Sequence, residues 1–573
     1  MLILSTPEEI NQISPVPQSL IIDHPDYLKW YDSIRLIYGQ LVFDNPKFEY
    51  RSYQAKYAAM GCIRRKNLLA HAQGVGKTTL TALMIAALYR SEMKSFRSDK
   101  STYGMVERTA QIHIAVPNVL AATRWLEDLG AVEMLRGSFE YIKTEQDLLT
   151  TICPIIIYRH DFPKLKAKSR AHTTRPYISR LLAKQFRPNF LVIDEIHELS
   201  NPKTDRYRHL DYLRHRAKRI LGLSGTLADG RLDQLHTICQ FVYGRDWDYH
   251  NDRAGFVKRF SKKVESKSHY LTGTEETEED RRYLESLNWD QIESYYQLMR
   301  RFVHRLTLDE PEVRSCITLP EPVTIPVYVE PSDEQRARYQ SYMNEHLALL
   351  KIAARSSGSD RYRTLNLIHP LIQASHSHPD NEIIPKAQTL IDLVQKHNKV
   401  AVFVSGIETS RYITGLLKTA LGEERVVRLY AQDPEATPVK MNDEARINAV
   451  YQFQYNPEIQ VGVFSLNLAA VSIDLTSTNC LIHYETGWSS LKIMQSISRA
   501  IRPGNRNKTV PHYYLINRCL IDEHQYTLLQ QKLMSSKMLL DYQDSEIETE
   551  DRAGVSGDLN PINALAGLLE NCK

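Results

Sequence analysis

The sequence is short of the features that mark most specialised protein classes. Its seven cysteines (Cys62, Cys153, Cys239, Cys316, Cys480, Cys519 and Cys572) are scattered, with no Cys-x-x-Cys pair. That spacing argues against a structural zinc site or a disulfide framework, and for a reducing cytoplasmic setting. No run of about 18 apolar residues occurs, so no membrane span is expected. The opening residues, Met1-Leu-Ile-Leu-Ser-Thr-Pro-Glu-Glu-Ile10, lack the basic stretch of a signal peptide. Glycine (23) and proline (25) are too few for a collagenous or low-complexity chain. Charge of one sign is also scarce: 72 Lys+Arg against 68 Asp+Glu leave +4. A wholesale basic coat is thereby excluded, and any nucleic-acid site has to come from a local concentration of positive charge.

What is present is ample core material. The 573 residues are 42% hydrophobic and 24% charged, a soluble globular profile with room for about two to four domains. Short apolar runs recur at Leu68–Ala70, Ile112–Val116, Ile155–Tyr158, Phe190–Ile193 and Ile220–Leu223. A second series follows at Val400–Val404, Val461–Phe464, Leu481–Tyr484 and His512–Ile516. Continuous apolar runs of this length suit strands buried on both faces, and their alternation with helical stretches implies parallel sheets. The expected fold class is α/β, with two lobes of parallel sheet plus a mostly helical insertion. The boundaries read as an N-terminal extension at 1–47, lobe 1 at 48–245, the insertion and linker at 246–320, lobe 2 at 321–540 and an acidic linker with a terminal helix at 541–573. Ser91–Thr109 reads as a polar surface connection, and no internal repeat at a fixed period is visible.

The most informative stretch is Leu68-Leu-Ala-His-Ala-Gln-Gly-Val-Gly-Lys-Thr-Thr79: an apolar strand, a glycine-bearing loop, then Lys-Thr opening a helix over Thr79–Tyr89. Gly74 and Gly76 let backbone N–H groups turn toward phosphates, and the helix N-terminus adds a favourable dipole. Lys77 would reach the β/γ-phosphates and Thr78 would place its hydroxyl on Mg²⁺, with Thr79 beside it. The full pattern wants a small residue where His71 stands. Further on, Phe190-Leu-Val-Ile-Asp-Glu-Ile-His197 ends a strand in Asp-Glu. Asp194 can hold Mg²⁺ and Glu195 can orient and activate the attacking water. ATP and Mg²⁺ are the expected ligands.

Asp-Glu-Ile-His after a phosphate loop resembles the superfamily-two helicases, and the family's other motifs follow in order. Ser224-Gly225-Thr226 closes the Ile220–Leu223 strand and, by resemblance, couples nucleotide state to nucleic-acid grip. Gln54, in Tyr50-Arg-Ser-Tyr-Gln-Ala55, resembles the adenine-recognising Gln motif. Met494-Gln-Ser-Ile-Ser-Arg-Ala-Ile-Arg-Pro-Gly504 resembles the arginine-finger motif, and its spacing places Gln495, Arg499 and Arg502 on one helical face.

Several stretches are more specific and resemble the Swi/Snf-type DNA translocases. Ile114–Trp125 is similar to that branch's Pro-x-x-Leu-x-x-x-Trp element, and Thr151–Leu165 to its Thr-Tyr segment. Glu198–Lys203, with the basic helix after it, resembles the segment following the Asp-Glu motif. Ser332–Tyr339 matches a Gln-x-x-x-Tyr helix and His369-Pro370 a His-Pro element. Ile473-Asp-Leu-Thr476 resembles Ile-Asn-Leu-Thr, which makes Asp474 a coupling residue. Gly487-Trp488 resembles a loop in which Trp488 is a nucleic-acid candidate. The resemblance covers about Tyr50 to Leu540. Three departures stand out: Ala469-Ala470 for Gly-Gly, Asn505 for Gln, and no Pro after Thr226.

Local basic patches supply the remaining nucleic-acid candidates: Arg206, Arg208, Arg214, Arg216, Lys218 and Arg219, with lesser clusters at Arg64–Lys66 and Lys258–Lys263. Such contacts to phosphates are sequence-independent, as a motor on arbitrary sequence requires. The resemblance implies two RecA-like lobes of parallel sheet forming an ATP-dependent translocase on duplex DNA, with Ile521–Leu539 as a brace helix. Two alternatives share its motifs: a strand-separating DNA or RNA helicase, and an ATP-gated assembly or recruitment factor on DNA. Partner proteins in a larger complex fit each, as does, by analogy, a bacterial or phage defence, repair or mobile-element setting.

Overall fold

The computed structural model describes residues 24–45, 48–96, 112–166, 176–186, 188–227, 231–261, 288–355, 369–466 and 473–541. They fall into two compact units, one built chiefly from residues before Leu319 and the other from Leu319 onward.

The first unit holds a seven-stranded parallel sheet. Its strands are β1 (Lys66–His71), β2 (Ile112–Val116), β3 (Phe139–Tyr141), β4 (Ile155–Arg159), β5 (Phe190–Ile193), β6 (Arg219–Leu223) and β7 (Val303–Leu306), in the order β3-β4-β2-β5-β6-β1-β7. β2 and β5, near its middle, are buried throughout, as strands covered by helices on both faces must be. The second unit holds β8 (Glu321–Val329), β9 (Val400–Val404), β10 (Val426–Leu429), β11 (Val461–Ser465), β12 (Cys480–His483) and β13 (Thr509–Asn517), in the order β10-β11-β9-β12-β13-β8.

The two orders are one order. Advancing each of the first six strands of the first sheet by seven positions reproduces the second sheet. β12 therefore stands where β5 stands, and β8 where β1 stands. The chain is a structural duplication that no sequence repeat betrays, and the expected pair of parallel α/β lobes is what the sheets show.

Every apolar run singled out in the sequence lies in a strand to within one residue. The stretch read as a helical insertion, 246–320, supplies the helices Arg253–Phe260 and Ile292–Phe302, but also β7, which pairs with β1. The acidic stretch 275–280, Lys262 and Lys263, Ala469-Ala470 and residues 542–573 lie outside the described residues. The helix after the phosphate loop runs from Lys77 to Phe96, into the expected surface connection. In the N-terminal extension, the helix Pro25–Asp44 buries Ile34, Tyr38 and Leu41 in the core of the first unit. Among the described residues no helix is long and apolar enough to cross a membrane.

Candidate nucleotide-hydrolysis site

The phosphate loop leaves β1 at His71 and ends where the helix Lys77–Phe96 begins. Gly74 and Gly76 take φ of 89° and 80°, backbone that L side chains rarely adopt. At Gly76 a Cβ would also lie 2.1 Å from Gln54 Nε2, so both conformation and space demand glycine. Lys77 Nζ donates to the carbonyls of His71 (2.9 Å) and Ala72 (3.3 Å), lying back over its own loop. Thr78 is half-buried in the first helical turn. The hydroxyl of Thr79, one residue on, donates to Asp128 Oδ2 at 3.2 Å.

Gln54, expected to read adenine, is bonded to the loop itself. Its Nε2 donates to the Val75 carbonyl (2.8 Å) and weakly to Gly76 (3.4 Å), while its Oε1 accepts from the Tyr38 hydroxyl. The amide is committed on both sides, which makes it a brace under the loop. Tyr53, whose hydroxyl donates to the same Val75 carbonyl at 2.9 Å, assists it. His71, at the position that usually takes a small residue, is buried against His304 of β7 with ring nitrogens 2.7 Å apart. Burial keeps both imidazoles well below their ordinary pKa, so the pair is neutral.

Asp194 and Glu195 follow β5. One Asp194 oxygen accepts from Trp125 Nε1 at 2.9 Å, and the other from the Glu195 amide at 3.0 Å. Burial and the neighbouring Glu195 push the Asp194 carboxyl up to about 6, against the Trp125 hydrogen bond and the Lys77 charge. Glu195 sits at φ 49°, left-handed and almost fully buried. Non-glycine residues held there are strained, and the fold must over-determine them. His197 supplies part of that constraint: its Nδ1 lies 3.3 Å from Glu195 Oε2 and 2.9 Å from Ser224 Oγ. Ser224 in turn bonds both the amide and the carbonyl of Thr226. Gly225 abuts Gln73 of the phosphate loop, where a Cβ would lie 2.7 Å from its Cγ. Arg305 of β7 donates to the carbonyls of Ala70 (2.7 Å) and Gly225 (3.2 Å). The Asp-Glu turn is therefore tied to the Ser-Gly-Thr turn by the His197–Ser224 hydrogen bond, and the Ser-Gly-Thr turn packs on the loop through Gly225 and Gln73. Thr78 and Asp194 offer hard oxygen donors, the set Mg²⁺ prefers, so the residues fit that ion.

In the second unit, Gln495 and Arg499 are buried in the helix Ser490–Ala500. Arg502 does not share their helical face, because the helix has ended. Pro503 disfavours helical backbone at the residue before it, and Gly504 follows at φ 99°. Arg502 instead pairs with Asp474, and its Nε donates to the Ser498 carbonyl at 2.9 Å. Asn505, in place of Gln, is buried, and its Nδ2 donates to the carbonyls of Thr478 (3.0 Å) and Ala500 (2.9 Å).

The basic helix Asp205–Arg214 is less available than its composition suggests. Arg206 pairs with Glu198 and, at 3.2 Å, with Asp161, and Glu198 also holds the buried His160. Arg214 is mostly buried and pairs with Asp211 at 2.6 Å. Arg216 stacks on Tyr212 with its guanidinium 3.7 Å from the ring centre. Lys66, from the smaller cluster, pairs with Asp246 at 2.6 Å, and Arg64 is buried. Arg208, in an exposed pair with Asp205, and the exposed Lys218 keep their heads in solvent. Trp488 is half-buried and packs against the cluster of Tyr339, Met343, Leu371, Leu520 and Ile521. The roles of Trp125, Asp128 and His197 were missed, because each depends on a partner distant in sequence or on a bend in the backbone.

Residues 53–380 match the SNF2-related domain, and residues 385–504 match the helicase conserved C-terminal domain. The chain belongs to the SNF2-related family, the Swi/Snf-type branch of helicase superfamily two. It is similar to a Bacillus subtilis protein provisionally named an ATP-dependent helicase/translocase, YwqA, at 22% identity over 63% of this chain and 37% of that one. It is also similar to an uncharacterized ATP-dependent helicase of Mycoplasma pneumoniae, at 23% identity over 63% of this chain and 32% of that one. The chain thus spans well under half the length of these curated relatives. Among solved structures, the Sulfolobus solfataricus SWI2/SNF2 ATPase core in complex with dsDNA aligns at 19% identity with a TM-score of 0.33, covering 89% of this chain and 97% of that one.

Proposed function

We propose that the protein is a DNA-stimulated ATPase that translocates on duplex DNA. The observation that carries this reading is the chain of contacts from the helix that follows the phosphate loop, through Thr79–Asp128 and Trp125–Asp194, to Glu195, His197 and Ser224, together with membership of the SNF2-related family. The loop amides and Lys77 bind the phosphates of ATP. Thr78 and Asp194 would hold Mg²⁺, which neutralises charge on the β- and γ-phosphate oxygens when bound. Glu195 orients a water molecule for in-line attack and takes its proton as the bond to the γ-phosphorus forms. The bond from the γ-phosphorus to the bridging oxygen breaks, giving ADP and phosphate. Arg499 and Arg502 act on the charge of the transferred phosphoryl, a task suited to the permanently charged guanidinium. Ser224–Thr226 and Asp474 carry the nucleotide state to the nucleic-acid grip.

The test is ATP turnover with and without duplex DNA for the wild type, Lys77→Ala and Glu195→Gln. Both variants should lose at least about 10²-fold in turnover. Triplex displacement without unwinding is expected, whereas unwinding of a labelled duplex supports a strand-separating helicase. Failure of every nucleic acid to stimulate turnover overturns the motor reading.

A further inference from the structure

The helix Val119–Ala131 carries none of the residues that would touch ATP, yet it holds two parts of the site. It begins cleanly: Asn118 is the N-cap, and its Oδ1 accepts from the Ala121 amide at 2.9 Å. Trp125 and Asp128, three residues apart, share its inward face, and both are nearly fully buried. From Trp125 the indole N–H donates to Asp194 Oδ2 at 2.9 Å. From Asp128 the carboxylate receives the Thr79 hydroxyl at 3.2 Å, with Arg124 Nε 3.4 Å from its other oxygen. One contact fixes the carboxylate that would face the metal. The other fixes the helical turn that carries Thr78, the second metal-side oxygen.

An indole can only donate, so Trp125 constrains one Asp194 oxygen without competing for a cation. The Glu195 amide constrains the other oxygen, and together the two bonds set the carboxylate plane. We propose that Trp125 and Asp128 are positioning residues that hold the two metal-side oxygen donors in register through one rigid helix. The proposal rests on the ATPase reading, and it assigns this helix the part that outer partners play at metal sites generally, where their loss costs about 10- to 100-fold in metal affinity.

The experiment measures Mn²⁺ affinity by electron paramagnetic resonance in the presence of ADP, and ADP affinity in EDTA with a fluorescent analogue. Trp125→Phe should weaken Mn²⁺ binding about 10-fold, and Asp128→Asn by about threefold, while metal-free ADP affinity stays within about twofold. Unchanged Mn²⁺ affinity in a folded Trp125→Phe protein overturns the proposal. So does an equal fall in metal-free and metal-dependent binding, the mark of a merely structural role. A wild-type readout covers the case in which Trp125→Phe does not fold. Among the indole ¹⁵N resonances of the five tryptophans, one should differ between ADP and Mg²⁺·ADP, and that one should be displaced in Asp194→Asn. A spectrum insensitive to the metal overturns the proposal. A wild type that binds Mn²⁺·ADP but does not turn over ATP sinks the ATPase reading and leaves the positioning result standing.

Discussion

Ser224 Oγ lies 2.9 Å from Nδ1 of His197, a contact between side chains 27 residues apart that ties the turn after β5 to the turn after β6. The same nitrogen faces the Glu195 carboxylate at 3.3 Å. Burial opposes charging of the imidazole, but the Glu195 carboxylate outweighs it and holds the His197 pKa above its ordinary value. His197 is thus hydrogen-bonded to Ser224 and faces the Glu195 carboxylate as an ion-pair partner, a charge contact that restrains Glu195 in its left-handed backbone. Replacing it with alanine removes that restraint from the residue that orients water. His197→Ala should lower turnover about 10- to 100-fold and shrink the ratio of DNA-stimulated to basal rate, read by steady-state ATP hydrolysis with and without duplex DNA.

Gln54 gives a second test, one that separates two roles. An adenine-reading amide would make its loss selective for ATP. An amide committed to Val75, Gly76 and Tyr38 braces the loop, whatever the base. Gln54→Ala should therefore raise KM for ATP and for GTP by similar factors. A rise confined to ATP would restore the adenine-reading role.

The contrast between expectation and structure has physical causes. The phosphate loop was legible because Gly74, Gly76 and Lys77 are dictated by local backbone geometry and phosphate chemistry. The buried strands were legible because they are apolar on both faces. β7 was not, since Val303-His-Arg-Leu306 looks polar until His304 meets His71 and Arg305 meets two carbonyls. β8 was not, since it is a largely exposed strand at the edge of the sheet, bearing Pro322 and Pro326, residues an edge accommodates. The Trp125–Asp194 bond was not, since it spans 69 residues. The basic helix misled because the acids that neutralise Arg206, Asp161 and Glu198, come from other elements.

That last point is measurable. Contacts to phosphate release counterions, and each true contact adds about one to the slope of log K against log salt. Lys218→Ala should reduce the slope for duplex DNA by about one. Arg206→Ala, which removes a side chain already paired with Asp161 and Glu198, should leave the slope nearly unchanged and lower thermal stability. Equal slopes for Lys218→Ala and the wild type would remove Lys218 from the interface.

Asp433 makes a pH-dependent contribution in the second unit. Burial alone would raise its carboxyl, but hydrogen bonds from Arg411 and Arg428, each at 2.7 Å, bring it down to about 2. A folded-state pKa below the unfolded value means stabilisation that is present above about pH 4 and lost as pH falls toward 2. Asp433→Asn should therefore cost more stability at pH 7 than at pH 3, measured as the difference in urea midpoint from the wild type at each pH. An equal cost at both would show that the carboxylate charge contributes nothing.

The anchorage of the helix Ile521–Asp541 rests on a buried ion pair. Lys386 Nζ is 2.7 Å from Asp522 Oδ2, and both side chains are almost completely shielded from water. Lys386 also donates to His376 Nδ1 at 3.1 Å and lies over the Tyr484 ring, while Asp522 accepts the Asn517 amide at 2.7 Å. Burial lowers the lysine pKa and raises the aspartate pKa, so each charge is tolerated chiefly because the other is there. Asp522 stands in the first turn of Ile521–Asp541, where a carboxylate also meets the helix dipole. Removing one partner strands the other. Asp522→Asn or Lys386→Met alone should cost about 3–5 kcal/mol. The double variant should cost about as much as one single change rather than the sum, because the second mutation removes the charge that the first exposed. Hydrogen exchange along Ile521–Asp541 reads this locally: amide protection should fall in each single variant and fall little further in the double. Additive losses would show that the two charges do not support each other.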